Sequence, residues 1–206
     1  MASMNFRSPT VCLASVSPRR RELLDQIGVP HIVVGADIDE TTLAGETPRD
    51  YVQRMAWQKA LTVRERGERL PVLAADTTVV LDDVIYGKPR DREDGLAMLG
   101  RLSGRTHEVL TAVAVADPSG VELRLSRSTV RFRTLSSQEC AAYWETGEPH
   151  DKAGGYAVQG CGAVFIEHLS GSYSGVMGLP LLETAQLLAA AGVPFWLDEL
   201  AEEAAQ

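Results

Sequence analysis

The sequence predicts an α/β fold built on a mixed sheet. Short apolar and β-branched segments alternate along the chain with segments of helical spacing, which favours parallel strands joined by helices. Two longer segments in the second half are joined by Pro-Ser-Gly and predict a hairpin, so antiparallel pairs are expected as well. A chain of 206 residues, 45% of them apolar, is long enough for one compact domain or a two-lobed one.

The first predicted unit is a strand, a tight turn and a helix. Residues 10–14 form a short apolar strand, and Ser17 with Pro18 is typical of an N-cap followed by the first helical position. The helix is expected to end at Gly28, because glycine is a common residue just beyond a helix terminus. A second strand is predicted over residues 31–35.

The next unit is a long helix followed by a buried strand. Residues 47–67 show helical spacing, with Met55, Ala56, Lys59 and Ala60 on one face. Residues 71–83 are apolar and β-branched, which predicts a largely buried strand that is interrupted at Asp76 and turns near residues 82–83. The same signals predict the remaining elements: a helix ending near residues 103–104, a hairpin over 107–117 and 121–133, a helix over 136–147, a glycine-rich stretch over 154–178 and a final helix over 179–192.

Charge and cysteine content limit the class of partner and the compartment. The formal net charge of −8 argues against long nucleic acid or an anionic membrane surface, since either usually requires a broad basic face. No apolar run approaches the roughly 18 residues that span a bilayer. The three cysteines, Cys12, Cys140 and Cys161, form no CxxC pair, which favours reduced thiols in a cytoplasmic protein.

A local basic cluster nevertheless stands at the start of the first helix. Arg19, Arg20 and Arg21 follow Ser17 in an otherwise acidic chain. Cations in a first helical turn oppose the helix dipole, so an anion such as phosphate or carboxylate would compensate them. The alternative is that Ser17 only caps the helix and that the arginines are solvated.

Asp76 is the second candidate, because a carboxylate within an apolar strand is costly to bury without a partner or a function. The alternative is an aspartate that organises a turn through Thr77 or Thr78. Lys88 is either a phosphate-reaching lysine or a surface one, since its surroundings do not fit a P-loop.

The acidic loop after the second strand has two interpretations. Asp39 and Glu40 would bind a metal or simply face solvent. Asp37 and Asp39 also fit the DxDxT pattern of haloacid-dehalogenase-type phosphatases, in which the first aspartate is a nucleophile and the second an acid. A short pattern of this kind often matches by chance, so this phosphatase is the alternative function.

Seven segments, taken together, resemble the Maf family of nucleoside triphosphate pyrophosphatases. They occur in the family's order, and the resemblance covers nearly the whole chain, from about residue 11 to 190: LASVSPRRRELL, DIDE, AADTTVV, GKPRD, LSGRTHEVLTAVAV, DKAGGYAVQG and GSYSGVMGLPL. The resemblance implies a single catalytic domain over residues 1–206, with two lobes, a mixed elongated sheet flanked by helices, and a central cleft, related to the inosine triphosphatase architecture. It also implies a homodimer by analogy.

The resemblance further implies roles for individual residues. The segment YAVQG resembles the branch of the family that acts on dTTP and UTP. Asp76 matches the proton acceptor and, with Glu40, the metal-binding positions for a divalent cation such as Mg²⁺ or Mn²⁺. The remaining matches are the specificity positions Arg19, Thr77 and Gln159 and the polar positions around the triphosphate, Ser15, Arg20, Lys59 and Lys88. The sequence departs from the family at Val16, where glycine is frequent.

The implied reaction is hydrolysis of dTTP, UTP or modified pyrimidine triphosphates to the monophosphate and pyrophosphate, which would cleanse the nucleotide pool. Gln159 fits this substrate class, since its amide offers one donor and one acceptor to O4 and N3–H of uracil or thymine. Without the resemblance, Gln159 would be interpreted as a surface amide in a glycine-rich loop. A non-enzymatic regulator of cell division is the alternative from another class of protein.

Overall fold

The computed structural model describes residues 8–196 of the chain. Strands and helices alternate in its first half, and a long antiparallel hairpin dominates its second half. The elements are β1 (Val11–Leu13), α1 (Pro18–Gln26), β2 (His31–Val33), α2 (Pro48–Glu65), β3 (Val72–Leu81), β4 (Val84–Tyr86), α3 (Arg92–Leu102), β5 (Thr106–Asp117), β6 (Gly120–Phe132), α4 (Ser137–Glu145), β7 (Ile166–Ser170), α5 (Tyr173–Met177) and α6 (Leu181–Ala190).

The strands form one mixed sheet in the order β2-β1-β3-β5-β6-β7, with β4 paired to β3. The pairs β1–β2 and β1–β3 are parallel, and β3–β5, β5–β6 and β6–β7 are antiparallel. The prediction of an α/β fold with a mixed sheet is therefore confirmed. The single domain over residues 1–206 stays a prediction, since both ends lie outside the described residues.

The predicted interruption of β3 at Asp76 is wrong. The strand pairs with β5 in continuous register from Val72 opposite Ala116 to Val80 opposite Glu108, and Asp76 lies opposite Ala112. The backbone has no need to break there, because a side chain from α2 meets the buried carboxylate. The predicted turn after β3 is confirmed: Asp82 and Asp83 have positive φ angles of 53° and 59°, which two-residue hairpin turns require.

Two strands are additional to the sequence-based assignment. The three-residue strand β4 returns from the Asp82–Asp83 turn and pairs antiparallel with the end of β3. Strand β7 lies within the glycine-rich stretch and pairs with β6 at the edge of the sheet. Both are short, so they offered little periodicity to recognise.

The core packs on both faces of the sheet. On one face, α1 and α6 bury leucines that include Leu24 and Leu187 against Leu73. On the other face, α2 packs through Ala56 and Ala60. Small side chains at this contact let the helix approach the sheet closely, and that approach brings the middle of α2 to β3.

A third core cluster lies near the far end of β3, β5 and β6, where α3 and α4 pack around Phe132, Tyr143 and Tyr156. The polar residues 76–78 interrupt the apolar character of β3 between the clusters. A cleft opens at these polar residues.

Within residues 8–196, no helix combines the length and hydropathy that a membrane span requires.

Candidate active site

The cleft has a volume of about 700 Å³, which is within the usual range of ligand pockets. Its walls come from the β1–α1 turn, the loop after β2, the middle of β3, the loop after β4, the segment after α4 and the end of α5. The site residues implied by the family resemblance all line it: Ser15, Arg19, Arg20, Glu40, Lys59, Asp76, Thr77, Lys88 and Gln159. Segments that are far apart in the sequence thus meet in one cavity.

At the centre of the cleft, the ammonium group of Lys59 lies between two carboxylates. Its Nζ donates to Oδ1 of Asp76 at 2.7 Å and lies 2.5 Å from Oε1 of Glu40. Lys59 belongs to the buried face of α2, Asp76 comes from β3, and Glu40 comes from the loop after β2. Lys59 and Asp76 are 9% and 8% exposed, so this ion pair is largely shielded from water.

Burial and charge act in opposite directions on the two carboxylates. Burial raises the pKa of Asp76, and the positive charges of Lys59 and Arg20 oppose that rise. Burial also acts to raise the pKa of Glu40, but the hydrogen bond and charge of Lys59 outweigh it and lower the pKa. Asp76 is therefore the stronger base of the two, and Glu40 is the more readily ionised.

Arg20 connects the first helix to two other walls of the cleft. Its Nε donates to the carbonyl oxygen of Gly178 at 2.8 Å, its Nη1 to Ser15 Oγ at 3.2 Å and its Nη2 to Thr77 Oγ1 at 3.5 Å. Thr77 is in turn hydrogen-bonded to Thr111 at 3.0 Å. The guanidinium is thus fixed in orientation before any ligand binds.

The N-terminus of α1 is capped differently from the sequence-based expectation. Ser17 occupies the N-cap position, but its side chain makes no capping hydrogen bond. Ser15 Oγ instead accepts from the backbone N–H of Ser17 at 3.2 Å. The alternative that Ser17 is only a cap is therefore not supported, and the start of α1 remains available to an anion.

The three arginines of α1 have different environments. Arg19 lies 3.7 Å from Oδ2 of Asp151 on the opposite wall. Arg21 is exposed and does not line the cleft. Val16 is 76% exposed, and among residues 8–196 only Asp82 and Asp83 are non-glycine residues with positive φ, so valine causes no backbone strain at position 16.

Gln159 and Lys88 present unoccupied polar groups to the cleft. Both side chains are exposed at its walls, and neither makes a hydrogen bond to another residue of the described range. Their polar atoms are therefore free to contact a ligand. Lys88 is also close enough to Glu40 for its charge to lower the pKa of that carboxyl group.

The cleft also contains polar residues that were not predicted as site residues, among them Lys152, Tyr156 and Thr78. Lys152 and Tyr156 line it from the segment after α4, and Thr78 lines it from β3. The Thr78 hydroxyl is buried and has no hydrogen-bond partner among the described residues. A signal existed for Thr78, since it follows Asp76 by two positions and therefore shares its face of the strand. Lys152 had no comparable sequence signal apart from its place in the segment DKAG.

The pair Asp37 and Asp39 does not converge on one site. Asp37 lines the cleft, whereas Asp39 does not. Oδ1 of Asp39 accepts from the backbone N–H of Thr41 at 2.9 Å in an exposed turn, and the bonds from Thr41 lower the pKa of Asp39. A haloacid-dehalogenase-type nucleophile and acid must face the same phosphate, so this interpretation is not favoured.

Glu40 and Asp76 offer two carboxylates to a divalent cation, which would need further ligands. Within residues 8–196, no group of three or more histidine, cysteine or acidic side chains could hold a metal ion by itself. The second carboxylate oxygens, Oε2 of Glu40 and Oδ2 of Asp76, accept no hydrogen bond from the same residues. One or two carboxylates completed by substrate phosphates are the usual ligands of Mg²⁺ in nucleotide sites.

The fold and this cleft define an α/β protein with a preformed cleft that is lined by both basic and acidic side chains. Its sequence matches the family model described as Maf-like protein over residues 10–191. The chain belongs to the Maf family.

Individual relatives match over most of their length. A dTTP/UTP pyrophosphatase of Saccharophagus degradans is 52% identical over 193 residues, which cover 92% of each chain. A dTTP/UTP pyrophosphatase of Alkalilimnicola ehrlichii is 56% identical over 186 residues, or 87% of this chain and 92% of the relative. The solved structure of the Staphylococcus aureus Ham1 protein aligns with 59% of this chain and 71% of its own at 14% identity, with a TM-score of 0.37, and adds nothing to the fold described above.

Proposed function

We propose that this protein hydrolyses dTTP, UTP and modified pyrimidine triphosphates to the nucleoside monophosphate and pyrophosphate, and so cleanses the nucleotide pool. The observation that carries the proposal is the position of the Lys59-linked carboxylates Asp76 and Glu40 in one cleft with Arg20 and Gln159. Relatives more than half identical, named dTTP/UTP pyrophosphatase, support the same substrates.

The triphosphate would bind at the cationic end of the cleft. Arg19, Arg20 and Lys88 line the cavity, and the N–H groups at the start of α1 add the positive end of a helix dipole. Because Arg20 is already oriented by Gly178, Ser15 and Thr77, little ordering is required when phosphate binds. These groups would stabilise the charge that develops on the leaving pyrophosphate.

Asp76 would act as the general base. A water molecule attacks the α-phosphorus, its proton passes to the Asp76 carboxylate, and the bond to the bridging oxygen of the β-phosphate breaks to release pyrophosphate. Burial raises the pKa of Asp76 and makes it a better proton acceptor than an aspartate at its ordinary value of about 3.9. Lys59 holds the carboxylate in place through Oδ1 and leaves Oδ2 for the water.

Glu40 and Asp76 would also hold a divalent cation, Mg²⁺ or Mn²⁺, together with substrate phosphates. When bound, such a cation supplies Lewis-acid polarisation of the phosphate oxygens. Glu40 suits this role because its lowered pKa keeps it ionised at neutral pH.

Gln159 would recognise the base. Gln159 lines the cleft and its amide makes no hydrogen bond to another described residue, so its donor and acceptor are available. Uracil and thymine present an acceptor at O4 beside a donor at N3–H, whereas cytosine presents the reverse pattern on that edge.

We also propose that the protein works in the cytoplasm as a homodimer. Free nucleoside triphosphates are pooled in that compartment. Cys12, Cys140 and Cys161 are all free thiols, which suits a reducing environment.

The test is an assay of the purified protein with Mn²⁺ and dTTP, UTP, CTP or 7-methyl-GTP, with pyrophosphate and orthophosphate measured separately. Pyrophosphate from dTTP and UTP in excess over the other two supports the proposal. Absence of pyrophosphate from all four would contradict it and favour the non-enzymatic regulator. Release of orthophosphate alone would favour a phosphatase.

A further inference from the structure

The loop that carries Gln159 is held from outside the cleft by one carboxylate. Glu148 follows α4 in a single 3₁₀ turn, Glu148–Asp151. Its Oε2 accepts from the backbone N–H of Cys161 at 2.8 Å, and its Oε1 accepts from that of Gly162 at 3.0 Å. Two amides just beyond Gln159 are therefore bound by one side chain.

The segment before Gln159 is tied to the same carboxylate through a tyrosine. Tyr143 Oη donates to Oε1 of Glu148 at 2.7 Å and accepts from the backbone N–H of Ala157 at 3.1 Å. Tyr143 is buried, and its ring packs edge-on against Phe165 with centroids 5.0 Å apart. The Tyr143–Glu148 pair thus fixes the backbone on both sides of Gln159.

Two glycines of the loop are explained by this pair. A Cβ at Gly160 would overlap the Glu148 carboxylate, and a Cβ at Gly162 would lie 2.6 Å from Tyr143 Oη. Neither glycine has a positive φ angle, so close approach and not backbone conformation requires glycine here. The loop is built to lie directly on the two side chains.

The same turn also holds a second cleft residue. Lys152 Nζ donates to the backbone carbonyl of Glu148 at 2.9 Å and to Oδ1 of Asp151 at 2.6 Å. Glu148 and Tyr143 themselves do not line the cleft. Their influence on a ligand must therefore pass through the loop that they hold.

We propose that Glu148 and Tyr143 are positioning residues that set base selection by fixing the Gln159 loop. This inference rests on the proposed function of Gln159. Gln159 can favour a base only if its amide lies within hydrogen-bond distance of the base edge, and a small shift of the loop would remove that contact. Arg20 is held by Gly178, Ser15 and Thr77, none of which belongs to this loop, so its proposed contact with the triphosphate should be retained when the loop shifts.

The first test is a comparison of kcat/KM for dTTP and CTP in Glu148→Gln and Tyr143→Phe. A glutamine offers one acceptor oxygen where glutamate offers two, so the N–H of Cys161 or of Gly162 loses its partner. The ratio of kcat/KM for dTTP over CTP should fall about tenfold, the equivalent of one hydrogen bond. Glu145→Gln is the matched control, since Glu145 is exposed on α4 and pairs with Arg92 away from the cleft.

A double variant separates positioning from a general structural role. If Glu148 acts through Gln159, Glu148→Gln should leave the dTTP/CTP ratio unchanged when Gln159 is already alanine. The proposal would be overturned if kcat/KM fell equally for both nucleotides in Glu148→Gln, so that their ratio stayed unchanged. An additive effect on the ratio in the double variant would also overturn it.

Hydrogen exchange provides a readout that does not depend on activity. Amides of residues 157–162 should exchange faster in Glu148→Gln and Tyr143→Phe, while those of β3 and β5 keep the wild-type rate. Unchanged exchange in the loop would refute the positioning role, whether or not the wild type hydrolyses nucleotides. Absence of hydrolysis by the wild type would refute only the proposed function. Tyr143→Phe keeps the packed ring, so it remains informative if Glu148→Gln does not fold.

Discussion

Lys59 Nζ lies 2.7 Å from Oδ1 of Asp76, and the two groups are enclosed between α2 and β3. Burial raises the pKa of Asp76, and the positive charge of Lys59 is the main effect that opposes this rise. Lys59→Met removes that charge, so the pKa of Asp76 should rise further. A base works only when ionised, and a higher pKa moves the loss of activity to higher pH. The acid limb of kcat/KM for dTTP should therefore shift upward by about 1 to 3 pH units, measured between pH 5 and 9.

Lys59→Arg is the control for this shift, because it keeps the positive charge although not the geometry. Its acid limb should stay near that of the wild type even if its turnover is lower. An unshifted limb in Lys59→Met would show that Asp76 is not the group whose ionisation controls the reaction.

Asp76→Asn should nearly abolish turnover and leave the fold intact. An asparagine oxygen can still accept from Lys59 Nζ, so the contact between α2 and β3 survives. The amide cannot accept a proton from water, and loss of a general base reduces turnover by about 10²- to 10⁴-fold. Pyrophosphate release and the thermal unfolding midpoint measure the two effects separately. Turnover at the wild-type rate in this variant would refute the role of Asp76.

Gln159→Ala should change base preference more than it changes affinity for pyrophosphate. In the proposed function the Gln159 amide contacts the base, whereas Arg20 and the start of α1 contact the phosphates. The measurements are kcat/KM for dTTP, UTP and CTP, together with inhibition by pyrophosphate. Unchanged selectivity would remove Gln159 from the base site, and a large loss of pyrophosphate inhibition would place it at the phosphate end instead.

The sequence predicted the central residues of the site better than it predicted their contacts. Asp76 was identifiable as a carboxylate in an apolar strand, and helical spacing placed Lys59 on the same face as the buried Met55 and Ala56. Their pairing was not predictable from spacing, because it depends on how close α2 lies to the sheet. That same pairing explains why the expected break at Asp76 does not occur.

The segment after α4 was harder to interpret for a different reason. Glu148 contacts backbone amides, and contacts of this kind cannot be predicted from the pattern of side chains in a sequence. Strand β7 was missed because Glu167 and His168 are both exposed on it, so its five residues show no regular alternation. Only the resemblance to the family pointed to Gln159 in this segment.

A buried histidine gives a prediction for stability. His107 on β5 is 2% exposed, its Nε2 lies 2.8 Å from Tyr156 Oη, and burial lowers its pKa to about 4. Its ordinary pKa is about 6.5, so between these values the unfolded chain binds a proton that the folded protein does not. The free energy of unfolding should therefore fall as pH decreases through this window, and this group alone should remove about 2 kcal/mol between pH 7 and pH 5.

The measurement is urea unfolding of the wild type and of His107→Gln at pH 7 and pH 5. The variant should be less stable at pH 7, because it loses packing against Phe132, but its stability should change less between the two pH values. His168→Gln is the matched control, since it removes an imidazole that is exposed at the edge of the sheet. An equal pH dependence in wild type and His107→Gln would mean that His107 binds its proton as readily in the folded protein as in the unfolded chain.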